Sequence, residues 1–305
     1  MKNIFWFCFL MLFCICFKGY AQKDTIKIVN LNVNDENTHF GVSYLEGNKI
    51  VFTSNLLNKR GKQQMLNDTP LVTLYQGEIG NNGDIINVLP LPNKLSDAAF
   101  NMSASTFYTS DKKYIVITTN VYNKERKANL SQKASRLRIE IGEYIEGIGW
   151  TNFKVPSFCK PNSSYGHPTI SPDGKFMYFV STMRGTLGGT DIFRVAIHEN
   201  NVFGKPENVG PKVNTRKKEL FPFIAKDNTL YFSSNRPKGK GQLDIYKSEM
   251  LEDGTYSEAQ LLDGPINSRF DDYSFMIKDD LKTGYFTSTR PKGKGGDDLY
   301  YFIKE

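Results

Sequence analysis

Cysteine is nearly absent from the working part of this 305-residue chain: of its four cysteines, Cys8, Cys14 and Cys16 fall in an apolar N-terminal run, which leaves Cys159 alone. No intramolecular disulfide can form in the mature protein, so the fold holds by burial, which a chain of this length can supply. Histidine is as scarce. His39, His167 and His198 lie far apart with no metal-ligand spacing, so no metal centre and no cofactor is expected. His167 starts an inner strand; a capped or core histidine is the expectation, with a side chain facing the central channel the alternative. A G-x-S-x-G elbow is missing, which removes the nucleophile of a propeller-gated serine hydrolase. Helical periodicity is missing too, and the mature chain reads as all β.

The N-terminus reads as a leader. Met1-Lys2-Asn3 precedes an apolar run over residues 4–17, then Gly19 and Ala21 stand before Gln22. The run falls short of the ~20 residues a membrane-spanning helix needs, so residues 1–21 are expected to be a secretory signal peptide and residues 22–305 a single exported domain. Neither Cys14 nor Cys16 follows a small residue as lipid attachment would require. The formal charge is +7, and losing Lys2 and Lys18 leaves 37 basic against 32 acidic residues, or +5. That excess is mild.

What the chain has in plenty is repetition. An apolar strand running into a polar stop and a turn occurs five times, with Asn55, Asn120, Thr182, Asn235 and Thr289 at equivalent places. The last three copies overlay closely: FMYFVSTMRGTLGGTDIFRVA, TLYFSSNRPKGKGQLDIYKSE and TGYFTSTRPKGKGGDDLYYFI. Intervals of 65, 62, 53 and 54 residues indicate a repeat architecture in which each unit buries its face on the next. The fourth copy parses into strands at 221–225, 230–233, 244–248 and 256–262, β-branched or aromatic runs ended by Gly, Pro, Asn or Asp. Four antiparallel strands per unit make a propeller blade. The last copy ends in its third strand, and residues 26–31 have the form of its missing outer strand. The expectation is therefore a five-bladed β-propeller closed by an N-terminal outer strand, with no free sheet edge.

The turn Ser171-Pro172-Asp173-Gly174, the following YF-S-x-x-R and the G-x-x-DIY run resemble the TolB-type, WD-repeat-like propeller repeat over nearly all of the mature chain, most closely over residues 166–301. The Asn- and Lys-rich style and the leader ending in Ala-Gln are similar to envelope proteins of the Bacteroidota. There such propellers are often joined to an OmpA-like domain and accompany type IX secretion and gliding machinery. No residues follow Glu305 for an OmpA-like domain, so peptidoglycan anchoring is not expected to carry over. The resemblance implies an exported protein, periplasmic or peripheral to the outer membrane.

The repeated polar residues are expected to stabilise blades. Asp191, Asp244 and Asp298 begin third strands, and Arg184, Arg236 and Arg290 follow second strands in the same copies. A five-bladed glycosidase would need two or three carboxylates on inner strands. The expected inner strands, 41–45, 107–110, 167–171, 221–225 and 274–277, carry none, and only Asp271 and Asp272 stand at an inner-strand entrance. No catalytic residue is assigned. Ser171-Pro172-Asp173-Gly174 also looks like the start of a sialidase Asp-box, itself a structural turn.

Charge sorts by loop type. The loops between second and third strands hold fourteen basic residues, among them Lys59, Arg60, Lys62, Lys124, Arg126, Lys127, Lys238, Lys240, Lys292 and Lys294, against Asp68 and Glu125. The loops between third and fourth strands hold eight carboxylates and no Lys or Arg. One face of the disc should be basic and the other acidic, a field that steers association with a charged surface. The resulting expectation is a non-enzymatic interaction module of the envelope, its basic face on a partner protein with an acidic docking surface. A carbohydrate-active propeller, binder or glycosidase, is the alternative, and nucleic acid is not an expected partner.

Overall fold

The structure is a computed structural model and describes residues 25–66, 68–94, 99–108, 113–121 and 136–305. Five antiparallel sheets form a five-bladed propeller. The inner strands are His39–Glu46, Ala99–Tyr108, Tyr165–Ile170, Glu219–Ile224 and Asp272–Ile277. The last blade is completed from the other end of the chain: Ile26–Asn30 pairs antiparallel with Asp298–Lys304, from Ile26 opposite Lys304 to Asn30 opposite Tyr300. The closing strand expected at residues 26–31 is there.

The inner strand of the second blade differs from expectation. It is expected at residues 107–110 and runs over Ala99–Tyr108, residues 109 and 110 lying outside the described ones. Its first half, Ala99 to Ser103, holds no β-branched residue and a single aromatic one, so little of the signal that marks strands is there.

Each seam between blades is sealed by an apolar cluster drawn from both, such as Tyr178, Val180, Ile224, Leu230 and Phe232 between the third and fourth. The residues that mark the repeat also do one shared job. The side-chain oxygens of Asn55, Thr182, Asn235 and Thr289 each accept a backbone N–H just before an inner strand, from Thr38, Ser164, Lys218 and Asp271 at 2.8–3.1 Å. A second device recurs in the links between blades. Asn34, Asn214 and Asn267 each bond both backbone groups of a third-strand residue, Leu299, Ile192 and Ile245 respectively, at 2.8–2.9 Å. These bonds satisfy buried backbone groups where one blade hands over to the next.

Every inner strand also carries a left-handed residue: Gly41, Ala104, His167, Phe221 and Ser274, at φ of 70, 40, 49, 48 and 53°. Each coincides with a register shift against the second strand. Such a bulge bends the strand and re-aims its side chains, and it tends to sit beside active sites. Only one of the five is glycine; the others carry their strain because the surrounding sheet fixes them there.

Candidate active site in the central channel

The two ends of the channel differ. At the end carrying the loops between second and third strands, the channel narrows onto aromatic rings. Phe221 stacks on His167 with centroids 3.7 Å apart and planes 9° apart, and it packs against Tyr273 at 5.0 Å and Phe40 at 6.2 Å. The Tyr273 hydroxyl donates to Asp297 at 2.7 Å, and Thr38 Oγ1 bonds the other oxygen of that carboxylate. This end is plugged.

Around the plug, the polar residues expected to stabilise blades form clamps. Asp191, Asp244 and Asp298 each fold their loop by accepting two backbone N–H groups, from Leu187 and Gly188, from Lys240 and Gly241, and from Lys294 and Gly295. Burial raises the Asp244 carboxyl above the ordinary range despite those bonds. Arg236 bonds Glu219 at 3.2 Å and lies over the Phe232 and Tyr246 rings; Arg290 bonds Asp272 at 2.6 Å and lies over Phe286 and Tyr300. Arg184 does not join this series. It falls one residue later than the other two arginines, with Met183 in the equivalent place, packed in the apolar seam of the second and third blades. The opposing inner-strand residue is there Tyr165 instead of an acid.

The inner strands thus do carry carboxylates, contrary to expectation: Glu46 ends the first, paired with Lys49 at 3.4 Å, and Glu219 and Asp272 begin the fourth and fifth. The Glu219 and Asp272 side chains are fully buried in the clamps and neither faces the channel. Asp271 accepts the Leu243 N–H at 2.9 Å.

The opposite end opens into a cavity of about 840 Å³. Phe221 and His167 form its floor, and Ser43, Ser105, Thr106 and Thr169 supply hydroxyls to its walls. The hairpins between first and second strands and the loop after the third strand of the third blade make the rim, with Asp173, Glu199, Lys226 and Asp279. Asp173 belongs to its own turn. Burial pushes its carboxyl up, but bonds from Ser171 Oγ at 2.6 Å and from the Lys175 N–H at 3.0 Å, with the Lys175 charge, hold it below the usual range. Glu199 and Asp279 have no protein partner for their carboxylates among the described residues, so they are the acidic groups open to a ligand.

His167 lines this cavity and is at the same time a buried, backbone-bonded residue, as expected of a capped or core histidine. Its ring does a structural task on one side only. Thr53 and Thr118 accept the N–H of the left-handed residue in the following blade, Ala104 at 3.1 Å and His167 at 2.8 Å. Val180 holds the same place in the third blade and cannot accept, so His167 Nδ1 takes the Phe221 N–H at 3.2 Å instead. Burial pushes the imidazole pKa down to about 3. The ring is then neutral at physiological pH with its proton on Nε2, because Nδ1 is the acceptor. Nε2–H has no protein acceptor among the described residues and is a donor available to a ligand oxygen.

Of the basic residues singled out from the sequence, Lys59, Arg60, Lys62, Lys238 and Lys292 are exposed on the plugged end. Lys240 Nζ bonds the Asn267 carbonyl at 3.3 Å, and Lys294 Nζ bonds those of Leu31 and Asn32 at 3.1 and 3.3 Å, tying their loops to the links that lead to the next blade. Lys124, Arg126 and Lys127 lie outside the described residues.

No protein-family profile matches the chain, and no curated protein matches it. Solved structures do. The chain is similar to a family 117 glycoside hydrolase of the marine bacterium Zobellia galactanivorans, at TM-score 0.51 and 11% identity over 92% of this chain and 90% of that one. It is similar to an endo-arabinase of Bacteroides thetaiotaomicron, at TM-score 0.56 and 12% identity over 91% and 96%. A β-xylosidase gives TM-score 0.51 and 12% identity over 91% and 94%. At such identities the likeness establishes the propeller fold. It also corrects two expectations. The reading as a non-enzymatic envelope module loses to its carbohydrate-active alternative, because these full-length likenesses are to glycoside hydrolases. None of these three is a TolB-type or OmpA-associated propeller.

Proposed function

We propose that the protein is a carbohydrate-active propeller whose site is the open end of the central channel. The observation that carries this reading is the cup itself: an aromatic floor of Phe221 on His167, a wall of hydroxyls, and an unpaired Nε2–H. An aromatic face suits the apolar face of a sugar ring, while convergent donors and acceptors suit its hydroxyls. The cup also lies at the middle of the fold shared with the glycoside hydrolases. Glu199 and Asp279 at the rim are the carboxylates available for acid and base roles in glycosidic hydrolysis, one protonating the leaving oxygen and the other activating water.

The setting belongs to the same proposal. The leader-like residues 1–21 and the Asn- and Lys-rich sequence support an exported protein of the Bacteroidota envelope, and among the described residues no helix is long and apolar enough to cross a membrane. The exposed lysines on the plugged end support attachment to an acidic envelope surface, which would leave the cup turned away from it.

Calorimetric titration with arabinan-, xylan-, galactan- and glucan-derived oligosaccharides tests the reading, with product analysis of the same mixtures. Binding should appear for at least one series and weaken about tenfold or more in Phe221→Ala, a loss of about 1.4 kcal/mol. Hydrolysis should fall at least about 100-fold in Glu199→Gln or Asp279→Asn. No binding by any series, with the fold intact by circular dichroism, would overturn the proposal.

A further inference from the structure

A second cavity of about 460 Å³ lies in the seam between the second and third blades. Tyr114 and Asn201 line both it and the central cup. They form a built sill. Asn201 Oδ1 accepts the Tyr108 hydroxyl at 2.5 Å, and the Tyr108 ring stacks on Tyr114 with centroids 5.1 Å apart. Beyond the sill the seam is walled by Val155, Pro156, Val202 and Phe203. Val155 and Val202 are 40% and 57% exposed, large apolar residues left to solvent along one furrow. Lys154 at its edge has no partner among the described residues, whereas Glu143 is held by Asn152 at 2.5 Å.

From this continuity we infer that the seam holds the continuation of the glycan seated in the cup, so that the ligand is an oligosaccharide chain and not a single sugar. The inference rests on the carbohydrate reading above. Volume argues for it first: sites for whole small molecules usually span about 300–1,000 Å³, and the cup alone is near the top of that range. Chemistry argues for it next. A sugar chain leaving the cup meets a stacked tyrosine pair at the sill, then apolar walls with a polar fringe, the combination that suits alternating ring faces and hydroxyls. Connection argues last, because an unrelated ligand in the seam would not require walls shared with the cup. The exposed Val155 and Val202 along the furrow have no covering partner among the described residues, and the extended glycan covers them.

The test is the dependence of affinity on chain length, measured with single sugars up to hexamers of the series that binds. The intact protein should bind hexamers at least about tenfold more tightly than dimers, and Val202→Trp, which places bulk in the furrow, should remove that advantage. Val155→Asp, elsewhere along the furrow, should do the same without relying on one substitution being tolerated. Phe221→Ala should weaken all lengths together. Equal affinity at every length, or a full length advantage retained in both seam variants, overturns the seam while leaving the cup standing. Absence of binding at any length in the intact protein overturns the carbohydrate reading and the seam with it. Crystals of the protein with a hexamer that show a second copy of the chain or a peptide in the furrow also overturn it.

Discussion

The plugged and open ends of this propeller spend their polar residues differently. At the plugged end, Asp191, Asp244 and Asp298 repeat from blade to blade, and each folds its own loop; Glu219 with Arg236 and Asp272 with Arg290 repeat as buried clamps. At the open end only the hairpin carboxylates Asp173, Asp227 and Asp280 repeat, each accepting a backbone N–H of its own turn. Glu199, Asp279, Lys226 and His167 each occur once, and each leaves at least one polar group without a protein partner among the described residues. A residue needed in every blade serves the blade, whereas a residue present in one blade and left unpaired is free to serve a ligand.

The comparison breaks most readily at the plugged end. Deleting the strand Ile26–Asn30 would strip the last blade of its pairing partner along Asp298–Lys304 and expose a sheet edge. The expected outcome is loss of cooperative unfolding, read by calorimetry; a deletion that melts like the parent would show that closure contributes little. Asp272→Ala should come next. Removing one partner of a buried pair costs about 3–5 kcal/mol because the other charge is left uncompensated, so chemical denaturation should show a clear drop in stability, far above that of Asp279→Ala on the open rim.

The fold was largely legible because each blade restates it. Asn55, Thr182, Asn235 and Thr289 could be aligned before their shared bond to the next inner strand was visible. The charged loops were legible as well, although two of the four lysines in the RPKGKG loops prove to hold backbone carbonyls. The cup was not legible, for a physical reason. Its residues come from five inner strands, the hairpins that follow them, Tyr114 and the loop after the third strand of the third blade, whereas the carboxylates that begin inner strands lie in clamps. The left-handed bulge re-aims His167 and Phe221 onto the channel, and alternation alone does not reveal a bulge. A signal was present in Val180, which breaks the Thr53 and Thr118 pattern and makes room for the His167 ring to act in its place.

A smaller effect sharpens the comparison through pH. The His167 pKa is pushed down to about 3 in the folded protein, against about 6.5 in an unfolded chain. The unfolded state therefore binds more protons between those values. Stability should be full above about 6.5 and fall as the pH drops towards 3, with a slope no steeper than about 1.4 kcal/mol per pH unit from this group. His167→Gln, whose amide cannot take up that proton, should flatten this part of the profile in pH-dependent denaturation; an unchanged slope would show that the imidazole is solvated.

The smallest effect is expected for Lys238→Glu with Lys292→Glu. Both side chains are exposed on the plugged end, so stability should change by no more than about 0.5 kcal/mol each. Retention on an acidic matrix should weaken, and oligosaccharide binding at the open end should not change. A loss of glycan affinity in this double variant would blur the division between the two ends.

Amide hydrogen exchange with and without a bound oligosaccharide tests the division most directly, since it reads both ends in one experiment. Protection should increase at residues 104–108, 167–174, 197–201, 221–226 and 274–279, and remain unchanged at residues 184–189, 236–241 and 290–295. Protection confined to the latter loops would contradict the assignment of the open end as the site.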